Sequence, residues 1–287
     1  MNSLNLGGHS GCGVFLMETE NGQMFVRKTS KDPAYNERLK AQCTKQKNFQ
    51  GHNLKTPAVL QEGVDKNGCF YFDMEYVQGV TLAEYIKTME IGKIRGLVHI
   101  LVEDLMPKTI SADPQLAEQA HLCFAEKLTS LIPQVKNHPQ AAKALQLLQD
   151  HNWKAFTSSF CHGDLTLENI IVRNDTLYLI DFLDSFYDSW LLDMGTLLQD
   201  VQTMWAYRNK TPLTANAMLR LMVFRDLLID TVVATNPCYV KEIYYALLMK
   251  LVRIYPYTTD AATIAFLNEK LVWLITWLNN QGKGGNL

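Results

Sequence analysis

The hydrophobic pattern of the chain changes once, near residue 80, and this change limits the folds that it can adopt. Before that point short apolar runs alternate with turns, which predicts strands. Asn21-Gly22 separates the first two runs, and Asn-Gly is the pair that most strongly favours a tight hairpin. Ser30-Lys31-Asp32-Pro33 predicts the start of one helix, because a capping side chain precedes a proline. The predicted strands occupy residues 13–19, 23–28, 58–63 and 68–76, and the helix ends near residue 49.

After residue 80 the apolar residues recur every three or four positions, which predicts helices. One hairpin interrupts them, with predicted strands at 169–173 and 177–181 around Asn174-Asp175. We therefore expect an α+β protein, with a small β-rich lobe over residues 1–77 and a large, mostly helical lobe over 78–287. The last seven residues are expected to be a frayed tail. The predicted helices occupy residues 82–89, 92–105, 114–135, 139–153, 192–207, 215–234, 239–254 and 260–280.

Composition excludes several classes of protein. The 287 residues carry 27 Lys and Arg against 29 Asp and Glu, a net charge of −2, which argues against a polybasic nucleic-acid-binding protein. Six scattered cysteines include no Cys-x-x-Cys pair, which disfavours a zinc site and a secreted disulfide framework. The chain opens without a signal-peptide pattern, and its most apolar stretches are shorter than the ~20 residues that span a bilayer. We expect a cytoplasmic protein without membrane insertion, and its oligomeric state stays open.

The residues that carry chemistry are concentrated between positions 161 and 182. Cys161-His162-Gly163-Asp164 is followed by Asn169, and the next strand ends at Asp181. Phosphoryl transfer needs a carboxylate that orients the attacking hydroxyl and accepts its proton, and Asp164 is the predicted residue. The predicted hairpin brings the amide of Asn169 and the carboxylate of Asp181 to one end of the same ribbon. Oxygen atoms of these two groups are ligands that Mg²⁺ prefers.

This pattern resembles the catalytic and metal-binding loops of the protein-kinase-like superfamily, and the His-Gly-Asp form resembles its aminoglycoside phosphotransferase and choline kinase branch. The resemblance covers about the first 200 residues motif by motif, and the rest only as a helical class. It implies a bilobal protein-kinase-like fold and ATP and Mg²⁺ as cofactors. It also implies a supporting role for Asp193, as the aspartate that steadies the catalytic loop. His162 is expected to be a neutral structural histidine that hydrogen-bonds the catalytic-loop backbone, and the alternative is a proton carrier.

Three segments are expected to hold the nucleotide. The glycine-rich segment Gly7–Val14 lets backbone N–H groups approach phosphate oxygens without an intervening Cβ. Lys28 ends a predicted strand and supplies the cation for the α- and β-phosphates. By resemblance, residues 73–79 form the hinge whose backbone groups hydrogen-bond adenine. The residues assigned to ATP are Gly8, Ser10, Gly11, Gly13, Lys28, Met74, Glu75 and Val77.

Lys28 is expected to have a partner on the first helix. Arg27, its neighbour, should face the opposite side of the sheet because side chains alternate along a strand. Glu37 is the predicted partner, although it comes early in the helix. Two glutamines further along the helix remain as alternatives: Gln42 and Gln46.

The segment after Asp181 departs from the protein-kinase form. Leu183 stands where protein kinases have the glycine of Asp-Phe-Gly, and no Ala-Pro-Glu follows, so the loop on which protein substrates dock is missing. This favours a small-molecule acceptor: an amino alcohol such as choline, a sugar or an aminoglycoside, with a sugar or an amino alcohol preferred. The candidate acceptor residues are Asp184, which could instead be a second metal ligand, Asp188 and Trp205.

The predicted function is that of an ATP- and Mg²⁺-dependent phosphotransferase that moves the γ-phosphate to a hydroxyl of a small molecule. Two alternatives stay open. A protein kinase is disfavoured by the missing docking loop. A nucleotide-binding pseudokinase or scaffold is disfavoured because every catalytic residue type is present.

Overall fold

The computed structural model describes residues 3–7, 12–108 and 113–281, and they divide into two compact units. The first unit comprises the chain up to Tyr85 together with His162–Asp164 and Glu168–Asp184; the second comprises Ile86–Cys161, Leu165–Leu167 and the chain from Ser185 onward. The strands belong to the first unit and most of the helices to the second. The α+β class expected from the sequence is therefore confirmed, whereas the division after residue 77 stays a prediction.

The strands of the first unit form two sheets. The strands are β1 (Ser3–Asn5), β2 (Cys12–Glu18), β3 (Met24–Ser30), β4 (Leu54–Lys55), β5 (Val59–Val64), β6 (Phe70–Glu75), β7 (Val80–Thr81), β8 (Ile170–Arg173) and β9 (Thr176–Leu179). One sheet has the order β1-β2-β3-β6-β5 and is antiparallel throughout. The other has the order β4-β9-β8-β7, in which only the β4–β9 pair is parallel. The sequence did not predict the short strands β1, β4 and β7.

Both predicted hairpins form, and their turns explain why. Gly22 has a φ of +77° in the turn between β2 and β3, a conformation that costs a glycine little. Asn174 and Asp175 have φ values of +50° and +58° between β8 and β9. A two-residue turn with both central residues left-handed matches the right-handed twist of the strands that it joins, and Asn and Asp tolerate that conformation.

The first helix begins where its capping sequence predicts. Asp32 accepts a hydrogen bond from the N–H of Ala34 at 2.8 Å, a single 3₁₀ turn spans Pro33–Tyr35, and α1 follows at Asn36–Asn48. Helix α1 packs on the five-stranded sheet through Leu39 and Cys43. The core between them also contains Cys12, Phe70, Phe72 and Met74.

The second unit is helical. The remaining helices are α2 (Leu82–Tyr85), which belongs to the first unit, α3 (Ile91–Leu105), α4 (Pro114–Val135), α5 (Pro139–Gln149), α6 (Trp190–Thr203), α7 (Ala215–Thr235), α8 (Cys238–Val252) and α9 (Ala261–Gln281). The helix predicted over 192–207 ends early because Met204 adopts a left-handed conformation, with φ +60°. A separate 3₁₀ turn, Trp205–Tyr207, follows it.

Close packing of α6 on α8 depends on one glycine. A Cβ added at Gly195 would lie 2.6 Å from the Cβ of Ala246 and 2.9 Å from the backbone nitrogen of Leu247. Both distances are shorter than real Cβ contacts, so a side chain at position 195 would force the two helices apart. Gly195 therefore sets the distance between the helices.

Helix α9 is longer than the apolar stretch that the sequence suggested. Residues Ala261–Asn280 are long and apolar enough to cross a membrane, and one third of that stretch is buried in the protein. Its buried leucines Leu267, Leu271, Leu274 and Leu278 recur at spacings of three and four on one face of the helix, and α9 packs against α5 and α8. A core helix passes the same length test, so this stretch is weak evidence for a membrane span. The predicted tail beyond Gln281 lies outside the described residues.

Candidate active site

Lys28 lies inside the first unit, on the strand at the centre of the five-stranded sheet. Its side chain is 3% exposed, its Nζ donates to Oε1 of Gln42 at 2.9 Å, and it forms an ion pair with Asp181. The neighbouring Arg27 pairs instead with Asp73 through two hydrogen bonds of 2.7 and 2.8 Å. The alternation expected along this strand is confirmed, and it presents Lys28 to the carboxylate of Asp181, which is 41% exposed, and to the buried amide oxygen of Gln42.

The predicted pairing of Lys28 with Glu37 is wrong. The side chain of Glu37 is 84% exposed, and it accepts a hydrogen bond of 2.7 Å from Lys40 of the same helix. Glu37 and Gln42 are five residues apart, which places them roughly 140° apart around an α-helix. Gln42 therefore faces the sheet while Glu37 faces solvent. The other alternative, Gln46, donates to the backbone oxygen of Pro57 at 2.8 Å.

Asp164, Asn169 and Asp181 are brought together by three hydrogen bonds of Asn169. Nδ2 of Asn169 donates to the backbone oxygen of Asp164 at 2.8 Å and to its Oδ2 at 3.3 Å. The backbone oxygen of Asn169 accepts from the N–H of Ile180 at 3.0 Å, and Asp181 is the next residue. The β8–β9 hairpin thus returns the chain to Asn169, so the three groups of the motif share one place in the first unit.

His162 connects the segment that contains Asp164 with the segment that contains Asp181, through its ring and its backbone. The ring Nε2 lies 2.8 Å from the carbonyl oxygen of Ile180, and Nδ1 accepts from the N–H of Asp164 at 3.3 Å. A carbonyl can only accept, so the ring hydrogen resides on Nε2, and His162 is neutral. Complete burial lowers the pKa of His162 to about 4. The backbone oxygen of His162 accepts from Leu183 at 3.0 Å, so this residue holds the loops and does not carry a proton at neutral pH.

Two backbone conformations in these loops are unusual. Gly163 has a φ of +91°, and Asp181 has a φ of +62°. The first conformation is suited to glycine, and the second is tolerated by aspartate more readily than by most side chains. Unusual backbone conformations persist where the surrounding structure holds them, and they concentrate at functional sites.

Two oxygen atoms in this region suit a hard cation. Oδ1 of Asp181 pairs with Lys28, whereas Oδ2 of Asp181 and Oδ1 of Asn169 accept no hydrogen bond from any residue that the structure describes. Within the described ranges no three His, Cys, Asp or Glu side chains form a metal cluster. Mg²⁺ is commonly held by one or two carboxylates with substrate phosphates completing its ligands, so an amide oxygen and one carboxylate fit that ion.

Asp184 is held by α1. Arg38 donates to its two carboxylate oxygens at 2.9 and 3.2 Å, and Nε2 of Gln42 donates to Oδ1 at 3.3 Å. Burial by itself would raise the pKa of Asp184, but the hydrogen bonds from Arg38 and Gln42 outweigh it and hold that pKa below its usual value. The Asp184 carboxylate, predicted to contact the acceptor molecule or to bind a second metal ion, thus already accepts hydrogen bonds from two side chains of α1.

The residues predicted to hold adenine lie at and after the end of β6. Met74 and Val77 are buried, and the Glu75 carboxylate is 3.6 Å from the guanidinium of Arg173. A Cβ at Gly79 would lie 2.4 Å from the carbonyl oxygen of Val172, so this glycine permits the segment to approach β8. Of the four residues of the glycine-rich segment that were assigned to ATP, the structure describes Gly13, on β2; the positions Gly8, Ser10 and Gly11 lie outside the described residues.

The remaining predicted residues belong to the second unit. Oδ1 of Asp193 accepts from the thiol of Cys161 at 3.4 Å, and Cys161 directly precedes His162 in the chain. The backbone oxygen of Asp188 accepts from Ser159 at 3.1 Å. The guanidinium of Arg208 stacks on the ring of Trp205 at 3.5 Å.

Asp200 is a buried carboxylate whose structural role was not predicted from the sequence. It is fully buried on α6, and its Oδ2 and Oδ1 accept from the backbone N–H groups of Leu167 at 2.7 Å and Ala206 at 3.1 Å. Leu167 lies between Asp164 and Asn169 in the chain. The signal was a single acid in the otherwise uncharged helical run Met194–Val201, where a buried carboxylate needs hydrogen-bond donors.

Comparisons with known proteins identify the family and the fold of this chain. A family model described as the phosphotransferase enzyme family matches residues 5–220, and no curated protein sequence matches the chain. Similar solved structures include a thermostable variant of aminoglycoside phosphotransferase APH(4)-Ia in a ternary complex with AMP-PNP and hygromycin B, at 14% identity and a TM-score of 0.61, covering 96% of this chain and 93% of that one. A protein assigned as a fructosamine-3-kinase, from Haemophilus somnus 129PT, has 12% identity and a TM-score of 0.59, with 96% and 91% covered.

At these identities the solved structures establish the fold, which is the protein-kinase-like fold that the sequence predicted. The family model spans well over half of the chain and contains Lys28, Asp164, Asn169 and Asp181. The chain belongs to the phosphotransferase enzyme family, as a kinase that transfers phosphate to a hydroxyl group.

Proposed function

We propose that the protein transfers the γ-phosphate of ATP, with Mg²⁺, to a hydroxyl group of a small molecule. One observation carries the proposal: Asn169 donates to Asp164 and accepts from Ile180, so a candidate base and two candidate metal ligands, Asn169 and Asp181, meet at one hairpin. Positioning and charge neutralisation are what phosphoryl transfer requires of a protein.

Each residue has a role in this proposal. Asp164 orients the acceptor hydroxyl and accepts its proton as the new bond to phosphorus forms. Asn169 and Asp181 would hold Mg²⁺, which when bound neutralises phosphate charge. Lys28, buried and already facing the Asp181 carboxylate, supplies a cation for the α- and β-phosphates. Gly13 with the rest of its glycine-rich segment would cover the phosphates, and Met74, Glu75 and Val77 would receive adenine.

The acceptor is proposed only as a class. The similar solved structures include one with hygromycin B bound and proteins assigned as fructosamine-3-kinases. Hygromycin B and fructosamines both carry hydroxyl groups on sugar-like frames. A sugar or amino alcohol remains our preference over an aminoglycoside, since only two acidic residues, Asp184 and Asp188, are assigned to the acceptor and Asp184 already pairs with Arg38. We also propose that the protein works in the cytoplasm, where its six cysteines, none of them in a Cys-x-x-Cys pair, would stay reduced.

The test is ADP release from ATP and Mg²⁺ in the presence of monosaccharides, amino alcohols, nucleosides and aminoglycosides, for the wild type and for Asp164→Asn. General-base catalysis typically contributes on the order of 10²–10⁴ in rate, so acceptor-dependent turnover should fall by at least about 100-fold in the variant. Asp226→Asn, an exposed aspartate of α7, is the matched control and should retain wild-type turnover.

Other outcomes separate the alternatives. Transfer of phosphate to protein, with none to small molecules, would establish a protein kinase. Binding of ATP without any turnover, unchanged in Asp164→Asn, would indicate a nucleotide-binding scaffold. If the wild type neither bound nor consumed ATP, the proposal would be wrong.

A further inference from the structure

Gln42 is an uncharged side chain buried between two charged groups. It lies on α1, is 1% exposed, and its amide contacts both Lys28 and Asp184. A buried polar side chain is costly unless its hydrogen bonds are satisfied. The partners of this amide therefore show what the residue does.

The amide of Gln42 has its full complement of partners in one orientation. Oε1 accepts from the ammonium of Lys28 at 2.9 Å, and Nε2 donates to Asp184 at 3.3 Å and to the hydroxyl oxygen of Tyr35 at 3.2 Å. An ammonium can only donate and a carboxylate can only accept, so the reversed amide would oppose both partners. A carboxylate at position 42 would satisfy Lys28 but would face the carboxylate of Asp184.

The same face of α1 holds the loop that follows Asp181. Arg38, one turn before Gln42, pairs with Asp184, and Lys45, one turn after it, donates to the backbone oxygen of Leu183 at 2.9 Å. Residues 38, 42 and 45 are spaced by four and three and therefore share one helix face. Of these three, Gln42 alone also contacts Lys28.

We propose that Gln42 is a positioning residue for phosphoryl transfer, which couples the phosphate-binding lysine to the loop carrying Asp181, and that position 42 must be neutral because Asp184 is acidic. This inference rests on the proposed function. It assigns to the amide a task that an acidic partner of Lys28 cannot perform here, because no carboxylate can donate a hydrogen bond to Asp184 at neutral pH.

The test is a charge exchange between the two positions. Gln42→Glu should lower kcat/KM for ATP by about 10- to 100-fold, the range that follows from an unsatisfied buried partner. Asp184→Asn in the same chain lets the new carboxylate accept from the amide introduced at position 184 as well as from Lys28, so the double variant should recover to within about threefold of Asp184→Asn alone. Gln61→Glu, the same change at an exposed position of β5, is the matched control and should behave as the wild type.

The outcomes distinguish this inference from the function on which it rests. If the wild type does not bind ATP and Mg²⁺ by calorimetry, the proposed function fails. If the wild type is active and Gln42→Glu equals Gln61→Glu, or if the double variant is no better than Gln42→Glu, the inference alone is wrong. Should Gln42→Glu not fold, the double variant must regain a cooperative thermal unfolding transition near that of Asp184→Asn, and its failure to do so would contradict the inference.

Discussion

The amide of Asn169 donates to both the backbone oxygen and the carboxylate of Asp164, at 2.8 and 3.3 Å. One side chain thus fixes the candidate base while its own oxygen, Oδ1, stays available for a cation. An aspartate could supply the oxygen but not the donor. Replacing Asn169 by aspartate therefore removes the hydrogen-bond donor to Asp164 and keeps the oxygen that can bind a cation.

Asn169→Asp is therefore expected to impair catalysis even though it retains an oxygen ligand. The variant loses the donor to Asp164 and places two carboxylates side by side, whose repulsion favours a protonated carboxyl and so lowers the fraction of Asp164 that is able to accept a proton. We expect kcat to fall at least about tenfold, measured as acceptor-dependent ADP release. Asn67→Asp, in the exposed turn between β5 and β6, is the control. Wild-type turnover in Asn169→Asp would show that the amide donor is dispensable.

His162 should make the protein less stable in weak acid. The ring has a pKa near 6.5 in the unfolded chain and about 4 in the folded protein, because burial disfavours its charge. Between these values the unfolded state binds more protons, so stability falls as the pH drops from 6.5 to 4 and is independent of this group above about pH 7. The wild type should lose about 3 kcal/mol more than His162→Gln between pH 7 and pH 4.

Urea unfolding at a series of pH values measures this difference. His99→Gln, an exposed histidine of α3, should keep the pH dependence of the wild type. Parallel stability curves for the wild type and His162→Gln would contradict a neutral, buried ring at position 162.

Two glycine-to-alanine substitutions should have opposite signs. Gly163 has a φ of +91°, which strains any L-residue, and Gly163→Ala should destabilise the protein by about 1–3 kcal/mol. Gly96 lies within α3 with open space where a Cβ would be added, and Gly96→Ala should stabilise the protein by about 0.5–1 kcal/mol. The free energy of unfolding in urea measures both. A neutral Gly163→Ala would mean that the loop adopts another backbone conformation in solution.

Asp200 should be required for stability through its two acceptor oxygens. In Asp200→Asn one oxygen remains, and the amide nitrogen faces a backbone N–H of Leu167 or Ala206. An unsatisfied buried donor costs about 1–3 kcal/mol, so the melting temperature should fall and turnover with it. Asp226→Asn, on the surface of α7, should change stability by less than about 0.5 kcal/mol. Equal stabilities for the two variants would show that the Asp200 hydrogen bonds do not stabilise the fold.

The sequence determined the features that depend on neighbouring residues. Asn21-Gly22 and Asn174-Asp175 predicted both hairpins, since their conformational preferences are local, and Asp32-Pro33 predicted the start of α1. The spacing of Asp164, Asn169 and Asp181 in the chain was enough to predict a shared site, because a hairpin between them returns the backbone to its starting point.

Tertiary structure decided which side chains meet across the chain. Lys28 pairs with Gln42 and not with Glu37 because of the face of α1 that packs on the sheet. From the sequence alone we predicted Glu37, because its charge is opposite to that of lysine. Asp184 and Asp200 likewise have partners far away in sequence, Arg38 and Leu167. Local preferences are properties of a few adjacent residues, whereas buried polar partners are fixed only once packing has brought distant segments together.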